Sequence, residues 1–292
     1  MRVHSQSNQD GVLEWIFLNI EPTNKQFVEF GFNSPTYEEA SIGLKYENPF
    51  SGANTQYLYS KGWRGLLLDS SYQNPEINLQ KEWLTPQNIL PIFEKYGVPR
   101  EVDYVSIDVD SSDLWLFEAI VSKPDLYRPR VITVEYNCVF PPNFPLACER
   151  ACKWRGDRIY GAGLAALRLV GSENGYTLVD VVEMLDAVFV RSDLIGGGVH
   201  PQKEERWGEL SSCVIHRPVE DMQRLYEELL DYETYRKALA MGASEDEAMA
   251  IAVSNAKEWI DLEGGPILWK LLSETSDEIR RELGENNLQP EL

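Results

Sequence analysis

At 292 residues the chain is long enough for one large α/β core with an appended module, because single cores stop growing near roughly 250 to 300 residues. An apolar content of 43% with 8 tryptophans supplies that core, and 25% charged residues keep the surface wet. The net charge of −20 argues against nucleic acid as a partner, since phosphates are met by Lys and Arg; it suits neutral or cationic small molecules, or serves solvation alone.

In chain order, Gln26–Phe30 reads as a buried strand running into Gly31, followed by a long loop holding Pro35, Pro49 and Gly52 and then a helix over 54–61. Residues 65–69 form a second apolar strand that stops on Asp69. Thr85 as N-cap and Pro86 at the first helical position open the next helix. Strands over 103–108 and 130–135 follow, and both end in acids, Asp108 and Glu135. The runs 175–182 and 187–190 lie too close together for a helical crossover, so they are expected to pair antiparallel. This alternation predicts a mostly parallel sheet finished by an antiparallel hairpin, where a dinucleotide dehydrogenase sheet would continue parallel.

Beyond residue 217 the chain turns strongly acidic and loses its β-rich runs, so helices are expected. Met222, Leu225, Tyr226 and Leu229 have helical spacing, Ser244 to Glu247 reads as a capping box, and a last helix runs through Leu283. The domains are therefore a core over 1–217 and an acidic helical extension over 218–292. No window approaches the ~18 apolar residues of a membrane span, and no apolar leader core follows a basic start, so the expected location is cytoplasmic with no membrane partner. Cys138, Cys148, Cys152 and Cys213 form no C-x-x-C pair, in keeping with reduced thiols. His200 and His216 stand alone and read as structural.

Ligands of open α/β sheets bind at the carboxyl ends of the strands. Four of the expected strands end in Glu29, Asp69, Asp108 and Glu135, acids able to bond ribose hydroxyls, an amine or a metal. Gly31 lets the chain turn tightly beside a ligand, but the later glycines of G-x-G-x-x-G are missing, so a dinucleotide diphosphate is poorly supported. Asp69 is either a ribose acceptor or a plain loop-capping acid. Asp108 and Asp110, with Glu135 and Asn137 at the next strand end, offer hard oxygen donors for Mg²⁺ or another divalent cation; acids bonded to neighbouring loop amides are the alternative. Tyr136, Phe140 and Phe144 either wall a substrate pocket or pack a loop.

Several of these segments, taken in order, resemble the FkbM-like branch of S-adenosylmethionine-dependent methyltransferases: Phe27-Val28-Glu29-Phe30-Gly31, Asn54-Thr55 with Gly62-Trp63-Arg64-Gly65-Leu66, Val105-Ser106-Ile107-Asp108-Val109-Asp110, residues 130–137, and Ala187-Val188-Phe189-Val190-Arg191. The resemblance spans residues 5–194. It implies a Rossmann-like class I sheet in the order 3-2-1-4-5-7-6, helices on both faces, and methyl transfer to a hydroxyl of a small molecule. It further implies Glu29 and Gly31 on the methionine side of the cofactor, Asn33 in the same loop, Asp69 on the ribose, and Asp108 beside the transferring methyl. A looser similarity to metal-dependent O-methyltransferases touches Asp110, Glu135 and Asn137. The chain departs from the pattern at Asn33-Ser34-Pro35 and Asp110-Ser111-Ser112, and its tail has no counterpart.

Methyl transfer asks a protein mainly to align donor and acceptor and to polarise or deprotonate the acceptor. A cation on Asp110, Glu135 and Asn137 would do the polarising; otherwise Asp108 or Asp110 is the base. Two rival readings differ in class. A catalytically silent module would bind a protein partner through its acidic tail, which also offers a surface for a homo-oligomer, and a nucleotide-sugar or dinucleotide enzyme would take a diphosphate.

Overall fold

The computed structural model describes residues 8–41, 52–182, 184–196, 198–201, 217–264, 268 and 271–273. Cys213, His216 and most of the expected last helix lie outside the described residues. Eight strands succeed one another before the tail: β1 (Gln26–Phe30), β2 (Arg64–Asp69), β3 (Leu79–Lys81), β4 (Tyr104–Ile107), β5 (Val131–Glu135), β6 (Leu146–Cys148), β7 (Tyr176–Val181) and β8 (Asp186–Arg191). Seven of them form one sheet in the order β3-β2-β1-β4-β5-β8-β7. The pairs from β3 through β5 are parallel, while β8 runs antiparallel to both β5 and β7. The expected labels 3-2-1-4-5-7-6 differ at the last two places because the short β6, not read as a strand, intervenes in sequence and pairs elsewhere.

Both faces of the sheet are covered, which is why its strands read as near-continuous apolar runs. Phe27, Leu67, Tyr104 and Val131 face α1 (Gln9–Asn19), α2 (Tyr37–Ala40) and α3 (Gln56–Ser60). Val28, Leu66, Leu68, Val105 and Ile132 face α4 (Ile89–Lys95), α5 (Asp113–Val121) and α6 (Leu164–Glu173). Regular α4 starts a turn later than expected. Thr85 Oγ1 accepts from Asn88 N at 3.2 Å and Asn88 Oδ1 accepts from Thr85 N at 2.8 Å, so this reciprocal pair shapes a turn that feeds the helix.

The tail is not wholly helical. After α7 (Arg224–Glu228) comes β9 (Leu229–Asp231), which pairs antiparallel with β6; α8 (Tyr232–Ala240), α9 (Glu245–Trp259) and a π-helical turn at Ile260–Gly264 follow. The stripe ending at Leu229 is thus cut where the backbone joins β6. The capping box forms as expected, with Ser244 and Glu247 bonding each other's backbone. Tail residues Leu225, Leu230, Tyr232, Tyr235, Ala248, Ala252 and Ile260 belong to the same apolar cluster as α5 and α6. Arg224 bonds Asp157 and Glu228, and the buried Arg158 reaches Leu271 O at 2.7 Å. Among the described residues no helix is long and apolar enough to cross a membrane.

Candidate functional site

Because β1, β2, β4 and β5 are parallel, their carboxyl ends share one rim, and a cavity of about 860 Å³ opens there. Glu29, Asp69, Asp108 and Glu135 all line it, with Gly31, Asn33, Asp110, Glu39, Glu82, Trp83, Trp154, Met184 and Leu185. His200 is exposed and does not line it. Three residues at the strand tips are left-handed: Gly31 at φ 68°, Asn33 at φ 50° and Asp110 at φ 60°. At Gly31 a Cβ would sit 1.8 Å from the Asp108 carbonyl oxygen, so only glycine lets β1 and β4 approach this closely.

Two of the rim acids organise the loops. Glu29, just 3% exposed, accepts from Asn54 N at 2.9 Å, from Thr55 N at 3.0 Å and from the Thr55 hydroxyl. Burial pushes its carboxyl up to about 7 even against those bonds. Asp69 accepts from Asn33 N at 2.8 Å, Ser71 N at 2.6 Å and Tyr72 N at 3.0 Å. It ties the tip of β2 to the tip of β1 and still faces the cavity.

Asp108, Asp110 and Glu135 are crowded rather than paired, whereas Glu82, also on the rim, bonds Lys95 at 2.6 Å. One carboxylate oxygen each from Asp108, Asp110 and Glu135 lies within 4.8 Å of the other two. Among the described residues no donor is bonded to the side chain of Asp108 or Asp110, and Glu135 Oε2 is buried without a hydrogen-bond partner. Burial and the neighbouring carboxylates hold Asp108 and Glu135 well above the usual carboxylate range, and burial raises Asp110. A low-dielectric cluster of like charges of this kind favours either shared protons or a bound positive charge.

Asn137 does not join the cluster. It is fully buried, donates to Arg158 O at 2.9 Å and Tyr160 O at 3.0 Å, and accepts from Val139 N at 3.0 Å, so its amide is spent on a distant loop. Asp108 takes the place expected of it. The aromatic wall is also absent: Phe144 stacks on Trp259 at 4.2 Å, Phe140 is buried, and neither they nor Tyr136 line the cavity.

Two acids escaped the sequence reading. Asp113, the first residue of α5, is fully buried and accepts from Val109 N at 2.7 Å and Ser111 N at 2.9 Å; burial raises it to about 7. Asp186 opens β8 opposite Glu135 and accepts from Gln9 Nε2 at 2.7 Å; burial and then Asp113 raise it to about 7. The run Asp108-Val109-Asp110-Ser111-Ser112-Asp113 carried a readable signal for Asp113, an acid at a helix start. Asp186 carried none, since only the hairpin's register brings it to Glu135.

Around this rim, backbone donors are largely spent on the protein's own acids. Asn33, Ser71 and Tyr72 serve Asp69; Asn54 and Thr55 serve Glu29; Val109 and Ser111 serve Asp113. Such amides are what a phosphate cradle would present to its ligand. No family model matches this chain, and no curated protein matches it.

Proposed function

We propose that this chain is a class I S-adenosylmethionine-dependent methyltransferase acting on a hydroxyl of a small molecule. The observation that carries the reading is the acid-lined cavity at the carboxyl ends of four parallel strands, with loop amides already committed to Glu29 and Asp69. That chemistry favours a positively charged ligand such as a sulfonium, and disfavours a diphosphate. Glu29, Gly31, Asn33 and Asp69 are assigned to the cofactor side, and Asp108 to the neighbourhood of the reacting centre.

The donor set also fits a divalent cation. Asp108, Asp110 and Glu135 supply hard oxygens of the kind Mg²⁺ takes, and the unpartnered Glu135 Oε2 lacks a positive neighbour. When bound, S-adenosylmethionine supplies the electrophilic methyl, and the cation supplies an acidified, oriented acceptor hydroxyl. The chain's own residues align the acceptor along the cavity, whose apolar lining includes Trp83, Trp154, Met184 and Leu185. Asp110, whose affinity for a proton burial raises, takes the hydroxyl proton where no cation assists.

Calorimetric titration with S-adenosylmethionine and, separately, with NAD⁺ tests this. The expected result is micromolar binding of the first and none of the second. Binding of NAD⁺ alone would favour a dinucleotide enzyme; heat from neither would favour a silent module that meets a protein through its tail.

A further inference from the structure

The loop that carries Asp110 is not held by Asp110 itself. Residue 110 sits at φ 60°, a left-handed conformation that aspartate, like asparagine, visits as a single residue where local hydrogen bonds hold it. Ser112, which caps α5, makes no side-chain cap bond. The group that holds the loop is Asp113: one oxygen takes Val109 N at 2.7 Å and the other takes Ser111 N at 2.9 Å, so a single carboxylate clamps the residues on both sides of Asp110. Asp113 is itself fully buried, at the start of a nine-residue helix, and packs near Gly161.

We propose that Asp113 is a positioning residue that holds Asp110 in its left-handed conformation and so assembles Asp108, Asp110 and Glu135 into a cation site. The proposal rests on the cation reading given above and adds a residue that would not touch the ion. An ordinary helix-start aspartate would stabilise α5 through the exposed N–H groups of its first turn and leave the affinity of the carboxylate trio unchanged. A clamp behaves differently. Outer groups that orient metal ligands typically change metal affinity by about 10- to 100-fold when substituted.

The experiment is titration of the full chain with Mn²⁺, read by the electron paramagnetic resonance of the free ion, for the unsubstituted protein and Asp113→Asn. Asparagine keeps the size and one acceptor oxygen but points an amide donor at one of the two backbone N–H groups. The expected result is binding weakened about tenfold in a variant that still melts cooperatively well above the assay temperature. Equal affinity in a folded Asp113→Asn would overturn the clamp while leaving the cation site standing. Absence of Mn²⁺ binding by the unsubstituted chain would remove the cation site and the clamp together. Should Asp113→Asn fail to fold, Asp113→Ser, which keeps one short-range acceptor at the helix start, is measured in the same way, with the same two outcomes.

Discussion

The two ends of strand β4 treat an acid in opposite ways. At its amino end Asp103, fully buried, accepts from Thr23 N at 2.9 Å, Asn24 N at 2.7 Å and Lys25 N at 2.6 Å, and lies 3.3 Å from Arg130 Nε. At the carboxyl end the half-buried Asp108 meets Asp110 and Glu135. The tail junction repeats the first solution, with Arg224 and Arg155 on Glu228, whose carboxyl falls below its usual value. The chain thus pairs Asp103 and Glu228 with arginines, whereas the trio Asp108, Asp110 and Glu135 has only other carboxylates close by among the described residues. The proposed function turns on that difference.

The sharpest way to break this comparison is to neutralise one acid at each end. Asp103→Ala leaves Arg130 without its counter-ion and three amides without their acceptor, and should cost about 3 to 5 kcal/mol in denaturant unfolding. Asp110→Asn removes a like charge from the crowded end at a residue type that tolerates φ 60°, and should raise stability in the absence of divalent ions. A loss in Asp110→Asn as large as that in Asp103→Ala would end the distinction.

Proton linkage gives the next effect. Glu29, Asp113 and Asp186 have folded-state values raised to about 7, whereas the unfolded chain ionises near ordinary carboxylate values. The folded state thus holds more protons between those limits, so stability is greatest below pH 4 to 5 as far as these groups are concerned and is lost as pH rises through about 7. Each group contributes on the order of 3 to 4 kcal/mol at most. The expected melting temperature in chelator falls from pH 5.5 to 8, and a flat profile would show that burial does not hold these three carboxyls protonated.

Gly31→Ala should cost about 1 to 3 kcal/mol from its left-handed conformation alone, more once the 1.8 Å approach to the Asp108 carbonyl is counted. It should also weaken S-adenosylmethionine binding, because it separates the tips of β1 and β4. Smallest is Ser244→Ala in the tail, which removes the capping box of α9 and should cost about 1 kcal/mol. Cofactor affinity in that variant should stay unchanged; a shift would reveal coupling between tail and rim.

Much of this rim was legible because its signal is local. An apolar run that stops on an acid marks both a strand and the end where ligands gather, which is how Glu29, Asp69, Asp108 and Glu135 were found. Asn137 fits the same description yet is consumed by Arg158 O and Tyr160 O, partners some 20 residues away that no spacing rule names. Two three-residue strands, Leu146–Cys148 and Leu229–Asp231, were hidden because each takes its conformation from the other across 80 residues of chain. Phe144 was read against its sequence neighbours, but its partner is Trp259. Local periodicity shows which element forms; long-range pairing decides which polar groups remain free for chemistry.

If the carboxylates at the end of the parallel strands take positive charge, the chain binds a divalent ion there. Calorimetric titration of Mg²⁺ into the unsubstituted chain and into Glu135→Gln at pH 7.5, each with and without S-adenosylmethionine, should show one ion per chain that is lost in Glu135→Gln, together with cofactor binding in the unsubstituted protein. Neither ion nor cofactor binding at that pH would contradict the account.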